Sequence, residues 1–441
     1  MAGAVAWAVI ERPGFGLCVL VALVWLNLSE VLVRYHGAPS VLQLLAVPLA
    51  VAAWASPREP MESHPLTRPL TALLAGWLLF LLLSTTWAPD TGFADERVLE
   101  TGKAFLVFAL VGALAVTRRR LVAAAWVAVA SGTALAGLGL FQIASGSFDR
   151  EFGGLARVKD AQIWGDVFEG RIAGPLGDPN YFAHILLVLV PVALVLGRHA
   201  RTRSRRWTAR GMAAVLVAGT LATYSRGGML ALAVVIGLTL LLLRVDPRRI
   251  LAGAVAAALV GILFLPADVL RRLETLGQIL PGQGTEEVLD PDSSFEKRKL
   301  VTAVAWREFV ENPILGVGAG NYSVHFDRHA ARIGSAAREY DEPDARQYPH
   351  NLYLEIAAET GVVGLTLFLG ALGAAFVALR RARRRFERAG DRAAADLAGA
   401  FAIALTGYLV SSLFLHGDFQ RYLWVLLAFA AALEAIAPEK T

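Results

Sequence analysis

Residues 353–379 read YLEIAAETGVVGLTLFLGALGAAFVAL, and RRARRRFERAGDR follows at once over 380–392. The first stretch exceeds the roughly 20 residues that a helix needs to cross the hydrocarbon of a bilayer. The second is dense in arginine, which marks the flank of a span that stays in the cytoplasm. Outward from this pair the pattern repeats. Apolar runs occupy 15–33, 41–55, 70–88, 103–117, 121–143, 181–197, 211–224, 228–243, 250–265, 353–379, 396–415 and 421–437. Composition agrees: 56% of residues are hydrophobic and 18% charged, against about 25% charged in a soluble chain. Mean hydropathy is +0.53. Disorder, collagen and small disulfide scaffolds are excluded. The single cysteine, Cys18, can form neither an internal bridge nor a CxxC metal site.

The 42 basic and 37 acidic side chains leave a formal charge of +5, which suits either a nucleic-acid binder or a membrane protein with positive cytoplasmic loops. Their positions decide. With the termini taken as cytoplasmic and the runs alternating, the arginine-rich short loops all fall on one side. These are Arg118–Arg120, Arg198 to Arg210, Arg244 with Arg248 and Arg249, and Arg380 to Arg392. The expected fold is therefore an all-α polytopic membrane protein of about twelve transmembrane helices, both termini cytoplasmic. Nucleic acid is not an expected partner; membrane lipids are. No cleavable signal peptide is evident, because Met1–Val9 lacks a basic start.

The opposite side receives an acidic segment, Asp90–Glu100, a smaller loop at about 144–180 and a large loop at 266–352. The chain thus divides into helices 1–9 over 1–265, the large loop over 266–352, and helices 10–12 over 353–441. Within the large loop Ser293-Ser294-Phe295-Glu296 has the spacing of a capping box and opens a helix, Phe295–Glu311, that Asn312-Pro313 ends. Arg298 and Arg307 lie on opposite faces of that helix, so at most one reaches a site. Gly316-Val317-Gly318-Ala319-Gly320 is either a tight turn for close backbone packing or a phosphate cradle.

Chemistry-bearing residues gather on the loop side. His350, in Tyr348-Pro349-His350-Asn351, stands at the start of a span. It is either a helix cap or a general base able to titrate near neutrality. Arg226, in Ser225-Arg226-Gly227-Gly228, is costly to bury without an anion and otherwise snorkels to headgroups or water. Arg171 precedes Asp178-Pro179-Asn180 at another span entry. Arginine binds two phosphate oxygens with one planar fork. Arg171, Arg226 and Arg298 beside one histidine suggest a pyrophosphate clamp with a base. His325 and His329 lack an HExxH setting; Asp290-Pro291-Asp292 has the acid-x-acid spacing of a metal site, and Asp341-Glu342 and Asp344 are also acidic, but such loop acids are more often solvated. The expectation is no metal and no cofactor.

At these residues the chain resembles the O-antigen ligase and O-antigen polymerase-like family, over roughly 170–370. The likeness comprises Arg171 with Asp178-Pro179-Asn180, the Ser225-Arg226-Gly227-Gly228 hairpin, Arg298 ahead of Pro313, the Gly316–Gly320 turn, and His350-Asn351 followed by Gly361. It implies a bacterial inner-membrane glycosyltransferase with a periplasmic active site, working without metal or nucleotide. The implied donor is a glycan on undecaprenyl pyrophosphate. The implied acceptor is a lipid A-core sugar hydroxyl for a ligase, a second lipid-linked glycan for a polymerase, or a protein hydroxyl in a related branch. His350 is then the base, Arg226, Arg171 and Arg298 hold the pyrophosphate, Asn351 orients the histidine, and Asp178 or Asn180 positions a sugar. A secondary transporter is the competing class, though it should place polar or broken helix segments at mid-membrane.

Overall fold

The computed structural model describes residues 2–55, 69–164, 167–246, 248, 293–333, 347–417 and 420–438. The apolar run 250–265, Asp290-Pro291-Asp292 and much of the 266–352 loop lie outside the described residues. The chain opens with α1 (Ala2–Glu11), α2 (Pro13–Trp25), α3 (Leu28–His36), α4 (Val41–Ala55), α5 (Pro69–Ser84), α6 (Thr91–Leu114) and α7 (Arg118–Ser145). A two-stranded hairpin follows, β1 (Arg157–Trp164) antiparallel to β2 (Val167–Gly174). Then come α8 (Pro179–Leu187), α9 (Val190–Arg198), α10 (Arg203–Ala222) and α11 (Arg226–Leu242). After the undescribed segment stand α12 (Ser293–Glu311), α13 (Tyr322–Ile333), α14 (Leu352–Arg388), α15 (Arg392–Ser411) and α16 (Arg421–Ile436).

Residues with the side-chain oxygens that prefer helix starts begin many of these elements. Asp90, Thr117, Asp178, Thr202, Ser225, Asn351 and Asp391 each accept a backbone N–H from the first turn of the helix they precede. The bundle closes around α16, whose residues Tyr422 to Leu433 are buried on every side. A helix that is apolar all round belongs in the middle of its bundle. Trp424 meets Phe105 and Phe108 of α6 edge-on, and Tyr422 meets Trp25 of α2.

Among the described residues, four stretches are long and apolar enough to cross a membrane, Arg118–Ser145, Pro179–Arg198, Leu352–Arg388 and Arg392–Ser411, or five if the bent pair α2 and α3 is one span. The helices α4, α5 and α11 are apolar but shorter. The protein is a mostly helical, polytopic membrane protein.

Three features depart from the sequence expectation. The run 15–33 is not one straight span: α2 and α3 meet at 57°, where Asn27 takes a left-handed φ of 48°. The run 181–197 lies within one apolar stretch, Pro179–Arg198, but its helix loosens at Val188 and Leu189, just before Pro191, which has no N–H to donate to a continuing helical ladder. The fold is not purely helical, since part of the 144–180 loop is the β-hairpin.

Candidate active site

Five chain segments meet at one end of the bundle. The β2 strand brings Arg171, whose Nε donates to the carbonyl of Thr223 at 2.9 Å. Thr223 lies in the short turn from α10 to α11, so the hairpin guanidinium lies against the segment that carries Arg226. In that turn Tyr224 adopts a left-handed φ of 52°, and Ser225 caps α11 through Gly228 N at 3.2 Å. Ser225 Oγ also donates to Asn180 Oδ1 at 2.8 Å, which ties the turn to the start of α8. Asp178 organises that start, accepting from Asn180 N at 2.7 Å and Tyr181 N at 3.2 Å. Arg226 is exposed, whereas Thr223, Ser225, Gly227 and Gly228 around it are buried. The buried, hydrogen-bonded turn fixes the backbone from which Arg226 projects.

The other half of the site comes from the start of α14 and the loop after α15. Asn351 caps α14 by accepting from Tyr353 N and Leu354 N, each at 3.1 Å. His350, one residue earlier, has a left-handed φ of 50°. Only a few per cent of non-glycine residues do so, and such positions collect at functional sites. Leu352 N donates to Ser412 O at 3.0 Å and Gly417 N donates to Glu355 Oε2 at 2.7 Å, which wraps the 412–417 loop around the head of α14. The other oxygen of Glu355 takes Arg97 Nη2 at 3.0 Å, and Glu359 lies 3.5 Å from the same guanidinium. These groups are almost fully buried. Removing one member of so buried an ionic group would leave an uncompensated charge; its contacts fix α6, α14 and the loop together.

That loop delivers a residue that sequence reasoning missed. The His416 ring is stacked on Tyr348 at 4.1 Å with 5° between planes. It stands edge-on to His350 at 5.3 Å and to Tyr181 at 5.5 Å. Tyr181 Oη closes the circuit by donating to His416 O at 3.0 Å. Burial first, then the nearby His350 and Arg97, hold His416 well below the usual imidazole range. Its Nδ1 is buried without a hydrogen-bond partner among the described residues. Contacts therefore run from His350 through His416 and Tyr181 to Asn180, Ser225 and Arg226, with Arg171 on the flank. Sequence reasoning also missed Lys159, which lies opposite Arg171 on β1 and 3.8 Å from Asp178.

The remaining expected residues have distinct places. Arg298 is half-buried on α12. This helix packs on the head of α14 through Leu300, Val304 and Ala305 against Leu354 and Ala358. Arg307 points elsewhere and pairs with Glu311 at 3.0 Å. The amide oxygen of Asn351 is engaged by the helix that it caps. The glycine turn packs closely against α14: Val317 N and Gly318 N donate to Ala358 O and Glu359 O at 3.0 and 2.9 Å. Those carbonyls are available because α14 breaks at Gly361, with φ 62° and ψ −165°. Two amides that a phosphate cradle would use are thus occupied, which favours the close-packing role of the turn.

Residues 211–369 match the family model described as O-antigen ligase. No curated protein matches the chain. The matched stretch contains Arg226, Arg298, His350, Asn351 and Gly361, and it begins after Arg171, Asp178 and Asn180. With its apolar helices, the match supports a membrane glycosyltransferase of the ligase or polymerase-like kind. The resemblance carried by the Arg226 turn and the His350–Gly361 segment is thus met by a match over residues 211–369, where the chain is similar to the O-antigen ligase family.

Proposed function

We propose that this protein is an inverting glycosyltransferase that moves a glycan from undecaprenyl pyrophosphate to a sugar hydroxyl of lipid A-core. In this proposal it sits in the bacterial inner membrane with twelve spans and both ends cytoplasmic, and the His350 end faces the periplasm. The observation that carries the chemistry is the chain of contacts joining His350, through His416 and Tyr181, to the turn that bears Arg226.

The acceptor O–H attacks the anomeric carbon in line with the departing oxygen. His350 takes the hydroxyl proton, a new glycosidic C–O bond forms, and the C–O bond to pyrophosphate breaks with its electron pair leaving on the phosphate oxygen. Negative charge grows there, so fixed cations stabilise the transition state beyond the ground state. Arg226 holds the pyrophosphate, with Arg171 and Arg298 contributing. These guanidinium groups supply the charge that a metal would otherwise provide. Asn351 and Asp178 keep the two helix starts in register, while Asn180 holds the Arg226 turn and offers its amide nitrogen to a sugar.

Purified protein supplied with lipid-linked glycan, with and without lipid A-core, tests this assignment. Product on lipid A-core alone supports the ligase, longer lipid-linked glycan makes it a polymerase, and no transfer in either arm refutes the enzymatic reading.

A further inference from the structure

A cavity of about 460 Å³ opens between α3, α4, α6 and the first residue of α16. Its two ends differ in chemistry. At one, Glu100 lies between two cations, 2.6 Å from Lys103 Nζ and 3.6 Å from Arg421 Nη2. All three are partly exposed into the opening, at 33%, 32% and 22% of their side-chain surface. Glu30 stands on the opposite rim and pairs with Arg34 at 2.5 Å. The other end is apolar, lined by Leu42, Ala46, Leu106, Val107 and Leu110.

Charge arithmetic narrows the occupant. Lys103 and Arg421 share one carboxylate, which leaves one positive charge in excess at that rim, while Glu30 with Arg34 sums to zero. A monoanion is therefore accommodated, and a dianion is left half-compensated. The apolar wall continues from the charged rim along the helices, and its lip is exposed at Val33 (41%) and Leu106 (46%), with Leu44 and Val47 nearby at 56% and 70%. In a membrane protein such side chains face acyl chains. A headgroup-sized polar end joined to a hydrocarbon-lined slot is the shape of an amphiphile, and the volume falls within the range of small-molecule sites.

We propose that this cavity binds a glycerophospholipid. Its phosphodiester rests against Lys103 and Arg421, and one acyl chain lies along Leu42, Ala46, Leu106 and Leu110. Lys103 is reached along its own stem, with the ammonium at the polar rim and the methylenes on the apolar wall. The site is separate from the His350 cluster and does not depend on the transfer reaction, although α6 serves both, through Arg97 on one side and Glu100 and Lys103 on the other.

Native mass spectrometry of the full-length protein in detergent tests the proposal. The titrants are phosphatidylglycerol, diacylglycerol with the same chains, and inorganic phosphate. Phosphatidylglycerol is expected to bind at least tenfold more tightly than diacylglycerol, because two charge-assisted contacts are lost without the phosphate. The double variant Lys103→Gln/Arg421→Gln should bring it down to the diacylglycerol level, and Lys103→Arg should retain it. Glu100→Gln should tighten binding several-fold, an effect of sign opposite to that of any structural damage. Leu106→Trp, which fills the wall without touching the charges, should weaken it and serves where the double variant fails to fold. Equal affinity for diacylglycerol overturns the proposal, as does phosphatidylglycerol binding unchanged by both the charge and the wall substitutions. Inorganic phosphate that binds as tightly as the lipid reduces the site to an ion site and also overturns it.

Discussion

The ring of His350 stands edge-on to that of His416, with centroids 5.3 Å apart and planes at 71°, although the two residues belong to different loops. Two hydrogen bonds enforce the approach: Leu352 N to Ser412 O and Gly417 N to Glu355. Burial, His350 and Arg97 disfavour the charged form of His416. Within the pair, His416 is the stacked imidazole whose surroundings favour its neutral form.

Replacing His350 with alanine is expected to lower transfer by about 10²–10⁴-fold, the usual contribution of a positioned base. His416→Phe keeps a ring on Tyr348 and should cost far less, within about tenfold. Because a base works deprotonated, the pH–rate profile should rise with pH through a single limb, with His416 silent. Ring-proton NMR adds a second readout: His350→Gln removes a neighbouring positive charge, so the His416 pKa should move up. A profile unchanged by His350→Gln would sink the assignment.

Arg171 and Arg226 should be energetically coupled. Arg171 grips the Thr223 carbonyl, three residues before Arg226, so its loss displaces the turn as well as removing a charge. Arg226→Lys retains charge but not the two-pronged fork, and a drop of about 3 kcal/mol in transition-state stabilisation, on the order of a hundredfold in turnover, is expected. In a double-mutant cycle the second loss should be smaller than the first, with a coupling of about 0.5–3 kcal/mol. Strict additivity would mean that the two guanidinium groups act on separate objects.

The apolar framework was legible from composition alone, as the agreement between run 121–143 and Arg118–Ser145 illustrates. Run 103–117 became α6, which starts at Thr91. Its first turns carry Asp95, Glu96, Arg97, Glu100 and Lys103, which look like loop residues until the partners of Arg97 are known. Those partners, Glu355 and Glu359, are distant in sequence and visible only in the fold. His416 escaped for the same reason, since nothing local distinguishes it from a histidine in a tight loop. The β-hairpin escaped because its two eight-residue strands, RVKDAQIW and VFEGRIAG, lack strict alternation of apolar and polar residues. Arg226 and His350 stood out in the sequence because each adjoins a helix-start signal, Ser225 and Asn351, whereas Arg171 lies in β2, ahead of the Asp178 cap.

Gly361 should tolerate no side chain. Its φ of 62° with ψ of −165° is a conformation open essentially only to glycine, and a Cβ there would collide with the backbone of Ile314 and Leu315. Gly361→Ala is expected to lower stability by more than the roughly 1–3 kcal/mol of backbone strain alone, read as a fall in thermal midpoint in detergent. Gly361→Asn should fare no better, because asparagine relieves left-handed turns and this ψ lies outside them. A wild-type midpoint for either variant would show that the break in α14 is not required.

Glu308 sets a pH dependence whose sign follows from its surroundings. On α12 its carboxyl is fully buried and neither oxygen has a hydrogen-bond partner among the described residues. Burial, then Glu359 and Glu311, raise its pKa from 4.5 to about 9. The folded protein therefore holds a proton that the unfolded chain releases near 4.5. Stability from this group is complete below that value and declines as pH rises towards about 9, with no further loss above. Thermal unfolding in nanodiscs between pH 5 and 9 should show a midpoint that falls with pH. Glu308→Gln, which is neutral throughout and close in shape, should flatten that slope and leave the protein more stable than the wild type at the alkaline end. If wild type and variant lose stability in parallel, Glu308 is ionised in the fold and the cluster of Glu308, Glu355, Glu359 and Arg97 must carry its charge differently.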